Sequence, residues 1–181
     1  MKNIPALFDQ PPQIFSQETN PGETAKREHP SAGKASAPTL SGDRPQTTHL
    51  ITRGTYRFLC GLDYTPLCEF KLASGRRADL VAINAKGHII MVEVKSCAAD
   101  FSMDQKWTDY IGFCDGFYFA VAPDFPVDLL PASHGLIIAD AYGAMIKRPA
   151  TECKLVAARR KALTLRIARQ SLARLQAHSM I

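Results

Sequence analysis

An α/β domain with a mixed sheet, followed by a basic C-terminal helix, is the fold that these 181 residues predict. Three observations carry the expectation. The run Ile89-Ile-Met-Val-Glu-Val94 is apolar almost throughout and of strand length, the mark of a central strand covered on both faces. Two shorter runs punctuated by turn residues precede it, which reads as a meander. A helix-patterned stretch then leads to a second apolar run at Phe117–Ala122, and a strand reached through a helix most often lies parallel to the one before it.

Residues 1–46 hold seven of the twelve prolines and show no apolar periodicity, so this segment reads as a disordered tail. Its apolar islands, Ile4–Phe8 and Ile14-Phe15, are either docking peptides for a partner protein or the isolated apolar pairs common in tails. The domain spans 47–150. Thr47 or Thr48 caps a helix with Leu50, Ile51, Tyr56, Phe58, Leu59 and Leu62 on one face and Arg53 and Arg57 on another, ended by Gly61. Strands follow at Pro66–Ala73 and Arg77–Ile83 around a turn at Ser74-Gly75. A second turn at Asn84–Gly87 leads into Ile89–Val94. Ser102-Met-Asp-Gln105 reads as a capping box opening a helix that buries Met103, Trp107, Tyr110, Ile111 and Cys114 and stops at Gly116. After Phe117–Ala122 come a proline-punctuated loop and strands at Leu136–Ala139 and Ala144–Lys147. The remainder, 151–181, reads as a helix from Thr151 or Glu152 to about Ala177.

Charge is unevenly spread: residues 1–47 are neutral, 48–150 carry −1, and 151–181 carry +6. Such asymmetry points to a polyanionic partner or to a solvated basic face. Five widely spaced cysteines without a CxxC pair frame neither a disulfide scaffold nor a zinc site. No apolar run approaches the ~18 residues of a membrane span, and the first residues lack a signal-peptide core. The expected location is cytoplasmic and nucleoid-associated, with no membrane partner.

The chemistry concentrates between Asp79 and Lys95. Glu93 and Lys95 are two apart on a strand and share a face. Asp79 joins that face only if it pairs opposite Glu93, which requires a five-residue loop at Asn84–His88. Two carboxylates meeting there repel unless a proton or cation intervenes. A hard divalent ion, Mg2+ or Mn2+, held by Asp79, Glu93 and the Val94 carbonyl resolves the conflict, with Lys95 orienting or helping to deprotonate an attacking water. The alternatives are a buried Glu–Lys structural pair or two residues on a solvated face. Trp107 and Tyr110 read as core residues. His49, His88 and His134 show no ligand spacing.

The segments Arg76-Arg77-Ala78-Asp79-Leu80, Glu93-Val94-Lys95-Ser96, Asp100-Phe101, Lys106-Trp107 and Phe117-Tyr118-Phe119-Ala120-Val121 resemble the MmcB family, bacterial DNA-repair proteins regarded as endonucleases and tied to mitomycin-type damage. The wider pattern, Asp79 then Glu93-Val94-Lys95, resembles the PD-(D/E)XK nuclease superfamily with its restriction-endonuclease-like αβββαβ core. The resemblance spans roughly 48–150. It implies a Mg2+- or Mn2+-dependent DNA endonuclease in damage or crosslink repair, with Asp79, Glu93 and Lys95 catalytic. A non-cleaving DNA-binding or partner-docking module of the same fold is the competing implication.

Two departures bear on the site. Alanine replaces the proline before Asp79, and residues 48–62 lack the acid that many members of the superfamily carry on the first helix. Glu69 is a secondary candidate, sharing the Asp79 face if the loop at Ser74–Arg76 holds three residues but not two. Gln105 and Lys106 are further secondary candidates. Arg53, Arg57, Arg76, Arg77, Arg159, Arg160 and Lys161 are candidates for phosphate contact. Removing residues 154–181 is expected to weaken DNA binding and flatten its salt dependence. A homodimer is compatible with the helix leucines.

Overall fold

The computed structural model describes residues 44–103 and 106–179. Helix α1 spans Arg44–Gly61, followed by strands β1 (Tyr64–Lys71), β2 (Arg77–Asn84) and β3 (Ile89–Lys95). Two short helices, α2 (Ala98–Met103) and α3 (Thr108–Ile111), lead to β4 (Gly116–Val121). Then come β5 (Gly135–Ala139), β6 (Ala144–Arg148) and a long helix α4 (Ala157–Ser179). The six strands form one sheet in sequence order, β3–β4 and β4–β5 parallel and the other neighbours antiparallel. The mixed α/β architecture is therefore as the sequence predicts.

All seven residues of β3 are buried. One face of the sheet carries Ile89, Met91, Phe117, Phe119 and Val121 against Trp107, Tyr110, Leu163 and Ile167. The other carries Ile90, Val92, Val94, Tyr118 and Ala120 against Ile51 and Leu59 of α1. An α1 side chain at position 54 would collide with the turn between β5 and β6, because a Cβ there would lie 2.0 Å from the Asp140 carbonyl. Gly54 thus lets the helix lie close on the sheet.

The hairpin register follows from its turn. The Asn84 side chain accepts the Lys86 and His88 N–H groups at 3.0 Å each, and Gly87 closes the turn at φ 76°, a conformation open to glycine. Ile83 then pairs with Ile89, leaving a five-residue loop at 84–88.

Several element boundaries differ from expectation. Helix α1 starts at Arg44, so Thr47 and Thr48 lie inside it and cap nothing. The helix expected from Ser102 begins instead at Ala98, with Ser102 inside it, and a second short helix starts at Thr108. Residues 104 and 105 lie outside the described residues. The final helix starts at Ala157 rather than Thr151 or Glu152, since the preceding chain is held extended. There the Cys153 N–H donates to the Asp115 carbonyl at 2.7 Å and the Leu155 N–H to the Asp115 carboxylate at 3.0 Å. The first strand begins at Tyr64 and ends at Lys71, before Leu72–Arg76 turns.

Helix α4 belongs to the core. Its inward stripe, Arg160, Leu163, Ile167, Gln170 and Arg174, follows helical spacing across one sheet face. Arg160 forks onto buried Asp115 with both bonds at 2.6 Å and also donates to the Gly87 carbonyl. Burial pushes the Asp115 carboxyl up, but the Arg160 guanidinium and the Ile89 and Leu155 N–H groups outweigh it and hold it at about 2. At the far end, Gln170 exchanges hydrogen bonds with the Lys71 backbone, and Arg174 donates to the Cys68 and Glu69 carbonyls. These side chains satisfy the outer edge of β1, which no strand covers among the described residues.

Candidate active site

The β2–β3 ladder runs from Ile83–Ile89 to Leu80–Val92 and stops one step short of Asp79 and Glu93. Continued by one residue, the register sets Asp79 opposite Glu93. The strands part there because the Asp79 side chain takes the place of a ladder partner, its Oδ2 accepting the Val94 N–H at 2.7 Å. A strand residue's N–H and C=O face the same flank, so the Val94 carbonyl opens toward Asp79 as well.

Glu93 and Lys95 project from the same face of β3, Lys95 Nζ lying 3.2 Å from Glu93 Oε1. Their side chains are only 7% and 4% exposed. Burial raises the Asp79 carboxyl above its ordinary value, against the lowering influence of the Val94 N–H and of Lys95; the nearby Glu69 charge raises it further. Asp79 is thus a buried carboxyl whose ionised form a neighbouring cation would stabilise.

Glu69 falls opposite Asp79 in the β1–β2 register, since the connection Leu72–Arg76 has five residues and keeps the parity that a three-residue loop would give. It leaves the regular ladder with φ 52°, unusual for glutamate. Its carboxylate pairs with Arg77 at 2.5 Å. Among the described residues no three His, Cys, Asp or Glu side chains gather as a ligand set. A divalent ion here would have Asp79, Glu93 and the Val94 carbonyl as protein ligands, with its other positions open. This all-oxygen set suits Mg2+ or Mn2+.

The remaining expected residues divide by place. Arg76 and Arg77 stand at the start of β2, on the site's end of the sheet, Arg76 paired with Asp109 at 2.8 Å. Arg53 and Arg57 are exposed on α1, which covers the opposite sheet face from Glu93 and Lys95. Arg159 donates to the Gly112 carbonyl at 2.7 Å and lies over the Phe113 ring. Arg160 is engaged by Asp115, and Lys161 is exposed on α4. Lys106 is exposed in the turn before α3, while Gln105 lies outside the described residues.

Trp107 stacks among Phe101, Phe117, Phe119 and His134, and Tyr110 donates its hydroxyl to the Arg77 carbonyl at 2.9 Å, so both serve the core. His88 bridges Tyr64 and Glu152 at 2.8 and 2.9 Å, remote from Asp79. Sequence reasoning missed Asp115, whose only local signal is an acid set against a buried strand. It also missed Gln170 and Arg174, whose partners are too distant in sequence to leave any signal.

The family model described as DNA repair protein MmcB-like matches residues 35–180. Among solved structures, SPO1766, a protein of unknown function from Silicibacter pomeroyi, is similar at 43% identity, covering 74% of this chain and 92% of that one with a TM-score of 0.71. Among curated proteins none matches. No helix among the described residues is long and apolar enough to cross a membrane.

Proposed function

Because the chain belongs to the MmcB-like family of DNA repair proteins, we propose that it hydrolyses phosphodiester bonds in DNA during damage repair, as a Mg2+- or Mn2+-dependent endonuclease of PD-(D/E)XK type. The observation that carries this reading is the parting of β2 and β3 at Asp79, which puts two carboxylates and a lysine on one face where the ladder ends. A bound divalent ion supplies charge neutralisation to the scissile phosphate. Asp79, Glu93 and the Val94 carbonyl hold it. Lys95, buried beside Glu93, keeps its ammonium aimed at the same face, where it orients the attacking water and carries a proton. Arg76 and Arg77, at the site's end of β2, bind the DNA backbone in or near the nucleoid.

A second reading has its own support. Lys95 already neutralises Glu93 in a buried pair, as a module that docks DNA without cutting would retain for its fold alone. Cleavage assays on plasmid, flap, junction and crosslinked DNA with Mg2+ or Mn2+ separate the two. Cutting that disappears in Asp79→Ala and Lys95→Ala supports the enzyme. No cutting, together with full complementation of a damage-sensitive strain by both variants, supports the module.

A further inference from the structure

The outer face of α4 presents Leu165, Leu172 and Leu175 at 56, 60 and 63% exposure, with Val156 just before the helix at 65%. The inward stripe Arg160–Leu163–Ile167–Gln170–Arg174 holds the opposite side of the helix to the sheet, so these leucines belong to neither core cluster of the described domain. Their spacing of seven and then three residues is that of a coiled-coil seam, and Lys161 and Arg169 are interleaved on the same face. A groove of about 500 Å³ continues the stripe toward the start of the helix, between the Lys154-Leu155 segment and Ala157, Lys161, Thr164 and Leu165. The face is both apolar and cationic.

Charge selects the occupant. Helix α4 contains no aspartate or glutamate. A second copy packed on this face would set Lys161 and Arg169 against further cations, with no acid on either helix to neutralise them. Nucleic acid would use the cations and leave the leucines wet. A bilayer would call on arginine headgroup contacts, yet Arg166 and Arg174 are turned to the Lys71, Cys68 and Glu69 carbonyls. We infer that the outer face of α4 docks an amphipathic helix of another protein, one carrying a leucine-type seam flanked by glutamate or aspartate. Its seam seats on Leu165, Leu172 and Leu175, and its acids meet Lys154, Lys161 and Arg169.

The test uses the full chain and a synthetic helix of about 20 residues with leucine at seam positions and glutamate at flanking positions. A twin with lysine flanks is the control. The glutamate peptide should bind saturably at one site and the lysine twin should not. Leu165→Ser and Leu172→Ser should each weaken binding about tenfold or more, and Lys161→Glu should shift preference toward the lysine twin. Thermal midpoints should stay unchanged, since these side chains are exposed. Equal binding of both peptides, binding of neither, or leucine variants that bind as the parent does would each overturn the inference. So would a dimer in sedimentation that Leu172→Ser makes monomeric, or leucine-dependent binding of phosphatidylglycerol vesicles or duplex DNA. Leucine-dependent capture of a peptide carrying residues 1–18 would instead assign the face to the chain's own N-terminal segment, and the inference would likewise fall.

Discussion

Replacing Lys95 with methionine keeps the length and apolar stem of the side chain and removes one buried charge. Glu93 then loses a cation at 3.2 Å in a setting where the pair's side chains are 4–7% exposed. Breaking a buried pair from one side typically costs about 3–5 kcal/mol, because the remaining ion is poorly solvated. For a domain of this size that is a fall of about 10–20 °C in melting temperature. The same deletion leaves Asp79 and Glu93 facing each other with less positive charge, so a divalent ion should bind Lys95→Met more tightly than the parent. At a concentration 100 times its Kd, such an ion returns about 2.7 kcal/mol. Melting curves of parent and variant, each with chelator and with Mn2+, read both effects. A Lys95→Met protein that melts within about 3 °C of the parent, or gains no more from Mn2+ than the parent does, would refute the paired and cation-seeking site.

Asp79→Asn should raise the melting temperature of the metal-free protein at neutral pH while abolishing stabilisation by Mn2+. A carboxyl whose folded pKa is raised costs stability as pH climbs from its ordinary value through the raised one, and the amide oxygen can still accept the Val94 N–H. Urea unfolding at pH 4 and pH 7 checks the sign. Asp115→Asn should cost about 2 kcal/mol at pH 7 through its lost charged hydrogen bonds. Asp115 titrates at about 2 when folded, so its contribution is complete above about pH 4 and disappears as pH falls toward 2. Acid titrations of parent and Asp115→Asn should therefore converge over that window. Arg76→Ala with Arg77→Ala should reduce the salt slope of DNA binding by about one per arginine, whereas Arg53→Ala with Arg57→Ala, across the sheet, should leave it unchanged.

The meander and its register were legible because local chemistry specifies them. Ile89–Lys95 is apolar on both faces, and Asn84 and Gly87 permit one tight five-residue turn, so the meeting of Asp79 with Glu93 is decided within 17 residues. The helix expected from Ser102 was misread for a local reason too. A capping-box pattern also fits residues inside a helix, and the chain had already turned helical at Ala98. Glu69 was legible in parity and not in conformation. Its backbone stands at φ 52°, and its carbonyl is held by Arg174, 105 residues away. The role of Asp115 was hidden in the same way, since its partners come from two segments distant in sequence, Ile89 from one and Leu155 and Arg160 from the other.

Those long-range contacts change what the C-terminal residues mean. From charge alone, residues 154–181 look like a detachable DNA-binding helix whose removal weakens binding. In the fold, their removal takes Leu155, Leu163 and Ile167 out of the core and strips Arg160 from Asp115 and Arg174 from β1. Losing the burial of three such side chains costs about 5–9 kcal/mol. Leaving Asp115 buried without its guanidinium adds to that. The total is comparable to the whole stability of a typical domain, about 5–15 kcal/mol. The chain ending at Cys153 should therefore show no cooperative thermal transition, and its loss of DNA binding would report unfolding. A cooperative melt in that truncated chain would refute the placement of α4 in the core. Surface variants such as Arg169→Ala, which leave the inward stripe intact, are what probe the helix's outer face without unfolding the domain.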